Sequence, residues 1–246
     1  FFGQFNFESE IMQDQNIRKA IEMGIDKEGF CSVIMEGRGL PAKAAFPDSF
    51  SYGNEAVETV SYDPEGAKKL LEESGWKDTD GDGYADKDGQ KLTIDWLTYP
   101  TRLEQPKLAE YAQATLKEIG IDVVVNNTSD HMTYAADGDF DVYVSSTTTA
   151  PTGDPEYFFT STVVGPKNYG KYENKEVTAL TEKLHQAFEP EERAKLATEL
   201  QQKSLDDDGF FFVSHLNMGI VTKSNVKGMA AHPCDYYEIT ADLDVE

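Results

Sequence analysis

Between Leu92 and Val144 the chain reads LTIDWLTYP (92–100), TRLEQPKLAEYAQATLKEIG (101–120), IDVVVNN (121–127), TSDHMTYAADGD (128–139) and FDVYV (140–144). Leu92, Ile94 and Trp96 alternate with polar residues, the period of a strand with one face in a core. Leu108, Tyr111, Ala112, Thr115, Leu116 and Ile119 then recur at three- and four-residue spacing, a helical stripe that Gly120 stops. The period returns to two at Ile121, Val123 and Val125, and again at Phe140, Val142 and Val144 after a short helical piece near 129–136. This pattern predicts a βαβ(α)β unit, with strands near 92–97, 121–126 and 140–145 in one sheet and a helix at about 103–119. In such units ligands commonly sit beyond the carboxyl ends of the strands, which is where the loop Ser145–Pro155 lies.

Working outward, Ile17, Ala20, Ile21 and Ile25 fall at helical spacing after Asp14, and Asp26 opens a second short helix to about Met35. Pro41 and Pro47 mark 37–50 as an extended connection, and Asp63-Pro64 starts a helix carrying Ala67, Leu70 and Leu71 that ends at Gly75. Downstream, helices are expected at about 175–188 and 190–205, before the apolar run Phe210-Phe211-Phe212-Val213 and the strand-like Gly219–Thr222. The fold class is α/β, a mixed sheet flanked by helices. With 246 residues and 39% hydrophobic residues the chain can bury a sizeable core. Its 22 Lys+Arg against 45 Asp+Glu give a formal charge of −23, which argues against nucleic acid and anionic lipid as partners. No apolar run approaches the roughly 18 residues of a membrane-spanning helix. The apolar opening Phe1-Phe2-Gly3 suggests that an upstream portion is missing, and Cys31 and Cys234 are too few for a disulfide framework.

Asp78-Thr79-Asp80-Gly81-Asp82-Gly83-Tyr84-Ala85-Asp86 places carboxylates at positions 1, 3, 5 and 9 of a calcium-loop pattern with the turn glycine at position 6, the clustered oxygens that a hard cation requires. Asp78, Asp80, Asp82 and Asp86 are therefore candidate calcium ligands of a structural site, although Gly89 stands where a bidentate glutamate would complete the pattern, and a solvated Gly-rich turn is the alternative. His131, His185, His215 and His232 are scattered; only His232-Pro233-Cys234 sets two soft ligands close together. Ser146, Thr147, Thr148 and Thr149 supply hydroxyls at a strand end and suit a polar solute. Asp154 could contact a cationic group or cap a helix, and Tyr157 could stack on a ligand. No nucleophile elbow, phosphate loop or HExxH occurs, so the chain is not expected to be an enzyme and needs no cofactor.

The order of several segments resembles the family of extracellular solute-binding proteins for oligopeptides, dipeptides and nickel complexes. Phe5-Asn6-Phe7 with Asp14 to Ile21 and Gly24 to Glu28, Gly37-Arg38-Gly39 with Pro41-Ala42 and Pro47, and above all Tyr62-Asp63-Pro64-Glu65-Gly66-Ala67-Lys68-Lys69-Leu70-Leu71 before Ser74-Gly75-Trp76 carry it. Ile119-Gly120-Ile121, Gly153-Asp154-Pro155 and Asn168-Tyr169 extend it. The resemblance implies one lobe of a two-lobed periplasmic-binding-protein-like fold: residues 1–208 as the C-terminal solute-binding lobe and 209–246 as strands returning toward a missing N-terminal lobe. It implies capture of a small solute, a peptide ahead of a nickel or metal chelate, outside the cytoplasm in a periplasm or from a lipid anchor, and delivery to an ABC permease. Nickel-binding relatives carry a metal-contacting histidine after a segment similar to Ala150–Pro155, where this chain has Lys167, and peptide-binding relatives carry an amine-holding aspartate close to the position of Pro151. The competing expectation from another class is a calcium-stabilised structural or adhesive surface module.

Overall fold

The computed structural model describes residues 1–231 and 239–246. In chain order, β1 (Phe2–Phe5) leads to α1 (Gln15–Gly24), α2 (Lys27–Gly29) with a following π turn Phe30–Ile34, β2 (Gly39–Pro41) and α3 (Pro64–Glu73). The hairpin β3 (Asp86–Lys87) and β4 (Gln90–Lys91) precedes β5 (Thr93–Thr98), α4 (Glu104–Glu118), β6 (Asp122–Asn127), α5 (His131–Asp137) and β7 (Val142–Ser145). The chain continues with α6 (Glu156–Phe158), α7 (Lys175–Gln186), α8 (Pro190–Asp206), β8 (Phe210–Phe212), β9 (Ser214–Leu216), β10 (Val226–Lys227) and β11 (Asp244–Val245). Local chemistry sets the boundaries: the carboxylates of Asp14, Asp26 and Asp63 accept first-turn amides of α1, α2 and α3. Gly120 ends the α4 turn at φ 90°, a conformation in which a side chain would be strained.

The main sheet has the order β6-β5-β7-β1-β8. β5 pairs in parallel with β6 and β7, while β1 runs antiparallel between β7 and β8. The three strands expected from the alternating pattern thus share one sheet, with α4 as the crossover. The alternation itself distributes side chains to the two faces. Ile94, Trp96, Val142, Val144, Phe5 and Phe211 join Ile17 and Ile21 of α1, Leu71 of α3, and Leu108, Ala112 and Leu116 of α4 in one core. On the opposite face Phe2, Phe210 and Phe212 pack with Phe46, Phe158, Phe159, Leu184 and Leu200, and Leu97 and Tyr143 pack with Tyr99, Ala135 and Phe140. Each such fully buried large side chain contributes about 1.5–3 kcal/mol. Gly3 in β1 is required by this packing, because a Cβ there would stand 2.0 Å from Cε1 of Phe211.

Phe210–Phe212 pairs with β1 at the edge of the main sheet, with its side chains buried on both faces. One expectation at the C-terminal end is corrected. Gly219–Thr222 forms no strand, and Val221 is 99% exposed, so its apolar residues have no face to cover. His232 and Cys234, and with them any pairing to the buried Cys31, lie outside the described residues.

Candidate functional site

Because β5 and β7 run parallel, the segments that follow them emerge at the same end of the sheet. Tyr99 to Arg102 follows β5, and Ser146 to Thr149 follows β7. Between them and β9 lies a cavity of about 530 Å³. Ser146, Thr147, Thr148, Thr149 and Ala150 form one wall, Arg102 reaches it from the β5 loop, and Ser214, His215, Asn217 and Met218 close it from the β9 side. Phe2, Phe50 and Phe212 give it an apolar floor, so that a few polar groups stand over apolar surface, as in sites that hold small solutes.

The wall is held by side chains behind it. Ser146 is fixed by Tyr99, whose hydroxyl lies 3.3 Å from the Ser146 amide and 3.2 Å from its Oγ. Tyr99 stacks on His131 with ring centroids 4.2 Å apart, and His131 Nδ1 meets the Tyr143 hydroxyl at 2.8 Å. Burial pushes the His131 pKa down and the Tyr143 pKa up, which keeps this pair neutral. At the far end of the loop the Tyr52 hydroxyl donates to the Gly153 carbonyl at 3.1 Å.

Asp154 is occupied by the protein itself. Arg193 donates to it through Nε at 2.8 Å and Nη2 at 2.6 Å, and Asp154 also accepts the Glu156 amide at 2.9 Å. Burial alone would raise the Asp154 pKa, but the Arg193 and Glu156 bonds outweigh it and hold the carboxyl below its ordinary value. Arg193 further donates to Glu156 and to the carbonyls of Leu184 and Ala187, and His185 Nδ1 lies 2.7 Å from Glu156. Asp154 and Tyr157 stand outside the cavity lining; the Tyr157 hydroxyl takes a bond from Lys167 at 3.0 Å.

The loop 78–89 precedes β5 and so lies toward the opposite end of the sheet. Oxygens of Asp78, Asp80 and Asp86 fall within 4.8 Å of one another. Asp82 turns away: it accepts the Tyr84 amide and pairs with Lys91 at 3.2 Å, and these contacts lower its pKa. Asp78 accepts the amides of Gly81 and Gly83, and Asp86 accepts the amide and hydroxyl of Thr79, so each cluster carboxylate also braces the turn.

Arg102 and His215 were not singled out as site residues in the sequence. Arg102 was within reach of the same rule that marked Ser146, since it follows a parallel strand's carboxyl end. His215 had no local signal, because the pairing of β9 with β2 brings it to the cavity.

Residues 1–170 match the family model "Bacterial extracellular solute-binding proteins, family 5 Middle", which covers well over half of the chain. The chain belongs to this family. The oligopeptide-binding protein AppA of Bacillus subtilis is 28% identical over 243 residues, covering 96% of this chain and 45% of AppA. Nickel-binding protein NikA of Staphylococcus aureus is 27% identical, covering 94% and 46%. Among solved structures, AppA in complex with a nonapeptide superposes with a TM-score of 0.80 at 25% identity over 95% of this chain and 48% of AppA. NikA of Staphylococcus aureus in complex with Ni(L-His)2 gives 0.80 at 25%, over 100% and 51%. The chain spans about half the length of the curated relatives it matches. This family 5 chain therefore has the fold of one α/β lobe of a two-lobed solute-binding protein.

Proposed function

We propose that this lobe is half of the substrate-binding component of an ABC importer, which captures a peptide outside the cytoplasm and delivers it to a membrane permease. The observation that carries this reading is the cavity at the carboxyl ends of β5 and β7. There a single guanidinium, Arg102, stands among the hydroxyls of Ser146–Thr149 over an apolar floor. A guanidinium recognises a carboxylate through paired hydrogen bonds, and the apolar floor accepts side chains of varied size. The likeness to AppA supports the same solute class. On this reading a second lobe completes the cleft, the protein catalyses no reaction and needs no cofactor, and it works in a periplasm or anchored to the outer face of the cell membrane. A calcium ion at Asp78, Asp80 and Asp86 would serve stability alone.

The likeness to NikA supports a second reading, a nickel or metal chelate as solute. A calcium-stabilised adhesive module is the reading from another class. Native mass spectrometry of the full-length protein purified without denaturation, followed by small-angle scattering with and without the retained solute, separates them. Retained peptide with closure of the lobes is expected. A retained metal complex overturns the peptide reading, and a protein that holds no solute and does not close overturns transport altogether.

A further inference from the structure

The main sheet is unevenly covered. Ile94 and Trp96 of β5 and Val123 and Val125 of β6 pack toward α4, so the alternation turns Asp95, Leu97, Val124 and Asn126 to the other face. There α5 is only seven residues long and packs against β5, which leaves the edge strand β6 open: Val124 is 48% exposed, and Tyr134 of α5 is 38% exposed. A groove of about 660 Å³ lies between this face, the end of α5 and the residues that follow β1. Leu97, Val124, Tyr134 and Phe140 give it an apolar floor, and Glu8, Asp95, Asp137, Asp139 and Asp141 stand around it. The surround is held in place by the fold. Asn6 Nδ2 donates to the carbonyls of Gly138 at 3.0 Å and Phe140 at 2.8 Å, and Asp141 accepts the Ser9 hydroxyl and the Asp95 amide.

Every Lys and Arg of the chain lies among the described residues, and none of them lines this groove. Desolvation, and then the charge of Asp141, raise the Asp95 pKa above its ordinary value, as expected where carboxylates face one another without a cation between them. Like charges around an apolar floor favour one kind of occupant. Another acidic surface is repelled, and that includes a second copy of this chain with its charge of −23. A small inorganic cation would meet the carboxylates and leave the floor in water. Lysine and arginine satisfy both parts, because the cationic head reaches the carboxylates while the stem, with an apolar neighbour, covers the floor. Complementary charge then draws such a segment in and fixes its register.

We propose that this groove docks a basic segment of a partner protein, in which lysines or arginines flank an apolar side chain. It shares no lining residue with the solute cavity, and it borders the loop before β7 whereas Ser146–Thr149 follow β7, so partner and solute occupy different ends of the sheet. The test uses the full-length protein and a fluorescent nonapeptide of three Lys-Leu-Lys repeats, blocked at both ends, with binding read by anisotropy at low salt. Asp95→Asn with Asp139→Asn removes two groove charges, and Val124→Arg occupies the floor. Glu191→Gln with Glu192→Gln removes the same charge from the first turn of α8. Each groove variant should weaken the probe by about tenfold or more with its melting temperature retained, and the α8 variant should bind as the parent does. A probe with alanine in place of leucine should bind more weakly to the parent. The melting temperature separates a folded variant from an unfolded one, and either groove variant alone is decisive. A parent that does not bind the probe overturns the proposal. So does a folded groove variant that binds as tightly as the parent, which places the probe elsewhere on the protein, or an α8 variant that loses as much, which reduces the effect to net charge. Equal binding of the alanine probe also overturns it and leaves a site for simple cations. None of these outcomes bears on the transport reading, which rests on the other cavity.

Discussion

Replacing Asp154 by alanine tests whether this acidic residue of the cavity-wall loop is a ligand or a strut. The sequence admits contact with a cationic solute, but the structure spends both carboxylate oxygens on Arg193 and one of them also on the Glu156 amide. Losing the cap of the Glu156 turn costs about 1 kcal/mol. The ion pair is half-exposed, with the Asp154 side chain at 39% and Arg193 at 15%, so it adds only about 1 kcal/mol, the upper part of the surface range. Arg193 is not orphaned by the change, because Glu156 and the carbonyls of Leu184 and Ala187 remain. The sum of about 2 kcal/mol corresponds to a fall in melting temperature of about 4–8 °C for a cooperative unit of this size. Asp154→Asn keeps a capping oxygen and should recover about half of it. Solute affinity measured by calorimetry on the full-length protein should change less than about threefold. A tenfold loss of affinity with an unchanged melting temperature would refute the reasoning and make Asp154 a solute contact.

Arg102→Ala should weaken binding of a free-carboxylate peptide by about tenfold or more, as for one charged hydrogen bond of about 1.5–3 kcal/mol, and should spare a C-terminally amidated one; equal loss for both would refute the assignment. If a calcium site with a dissociation constant of about 1 mM exists at 78–86, 10 mM calcium should stabilise by about 1.4 kcal/mol, and Asp80→Asn should abolish the gain without altering solute affinity. Asp208 is buried, and burial raises its pKa to about 6 from 3.8. A carboxyl whose pKa is higher in the folded state stabilises the fold below about pH 4 and loses that contribution as pH rises through 6, so Asp208→Asn should be more stable than the parent at pH 7.5, by up to about 3 kcal/mol, and no more stable near pH 3.8. Its φ of 47° suits asparagine as well as aspartate, and equal urea midpoints for both proteins at pH 7.5 would count against the shift.

How much was legible follows from the range over which each feature is determined. The unit from β5 to β7 could be read because it is local: alternation at Ile94 and Trp96, the stripe from Leu108 to Leu116 and the stop at Gly120 are each set within a few residues, and they agree with one another. The place of β1 between β7 and β8 could not be read, since Phe2 to Phe5 finds partners at Ser145 and Phe212, far along the chain, and nothing near Phe2 specifies them. The site divides in the same way. Ser146–Thr149 could be placed by the rule for strand ends, which needs only local order. The occupancy of Asp154 could not, because its partner Arg193 lies 39 residues onward on α8, where it reads as one more charge on an exposed face. A carboxylate before proline has the same local sequence whether it holds a solute or an arginine, and only the packing of α7 and α8 against the loop decides which. The setting of His215 is further removed still, since its Nε2 meets Oδ1 of Asn54, 161 residues away, an oxygen that also accepts the amides of Lys43 and Ala44. The loop residues at the strand ends can thus be inferred from strand order, while the groups that hold and orient them are assembled by long-range packing and become visible only once the fold is known.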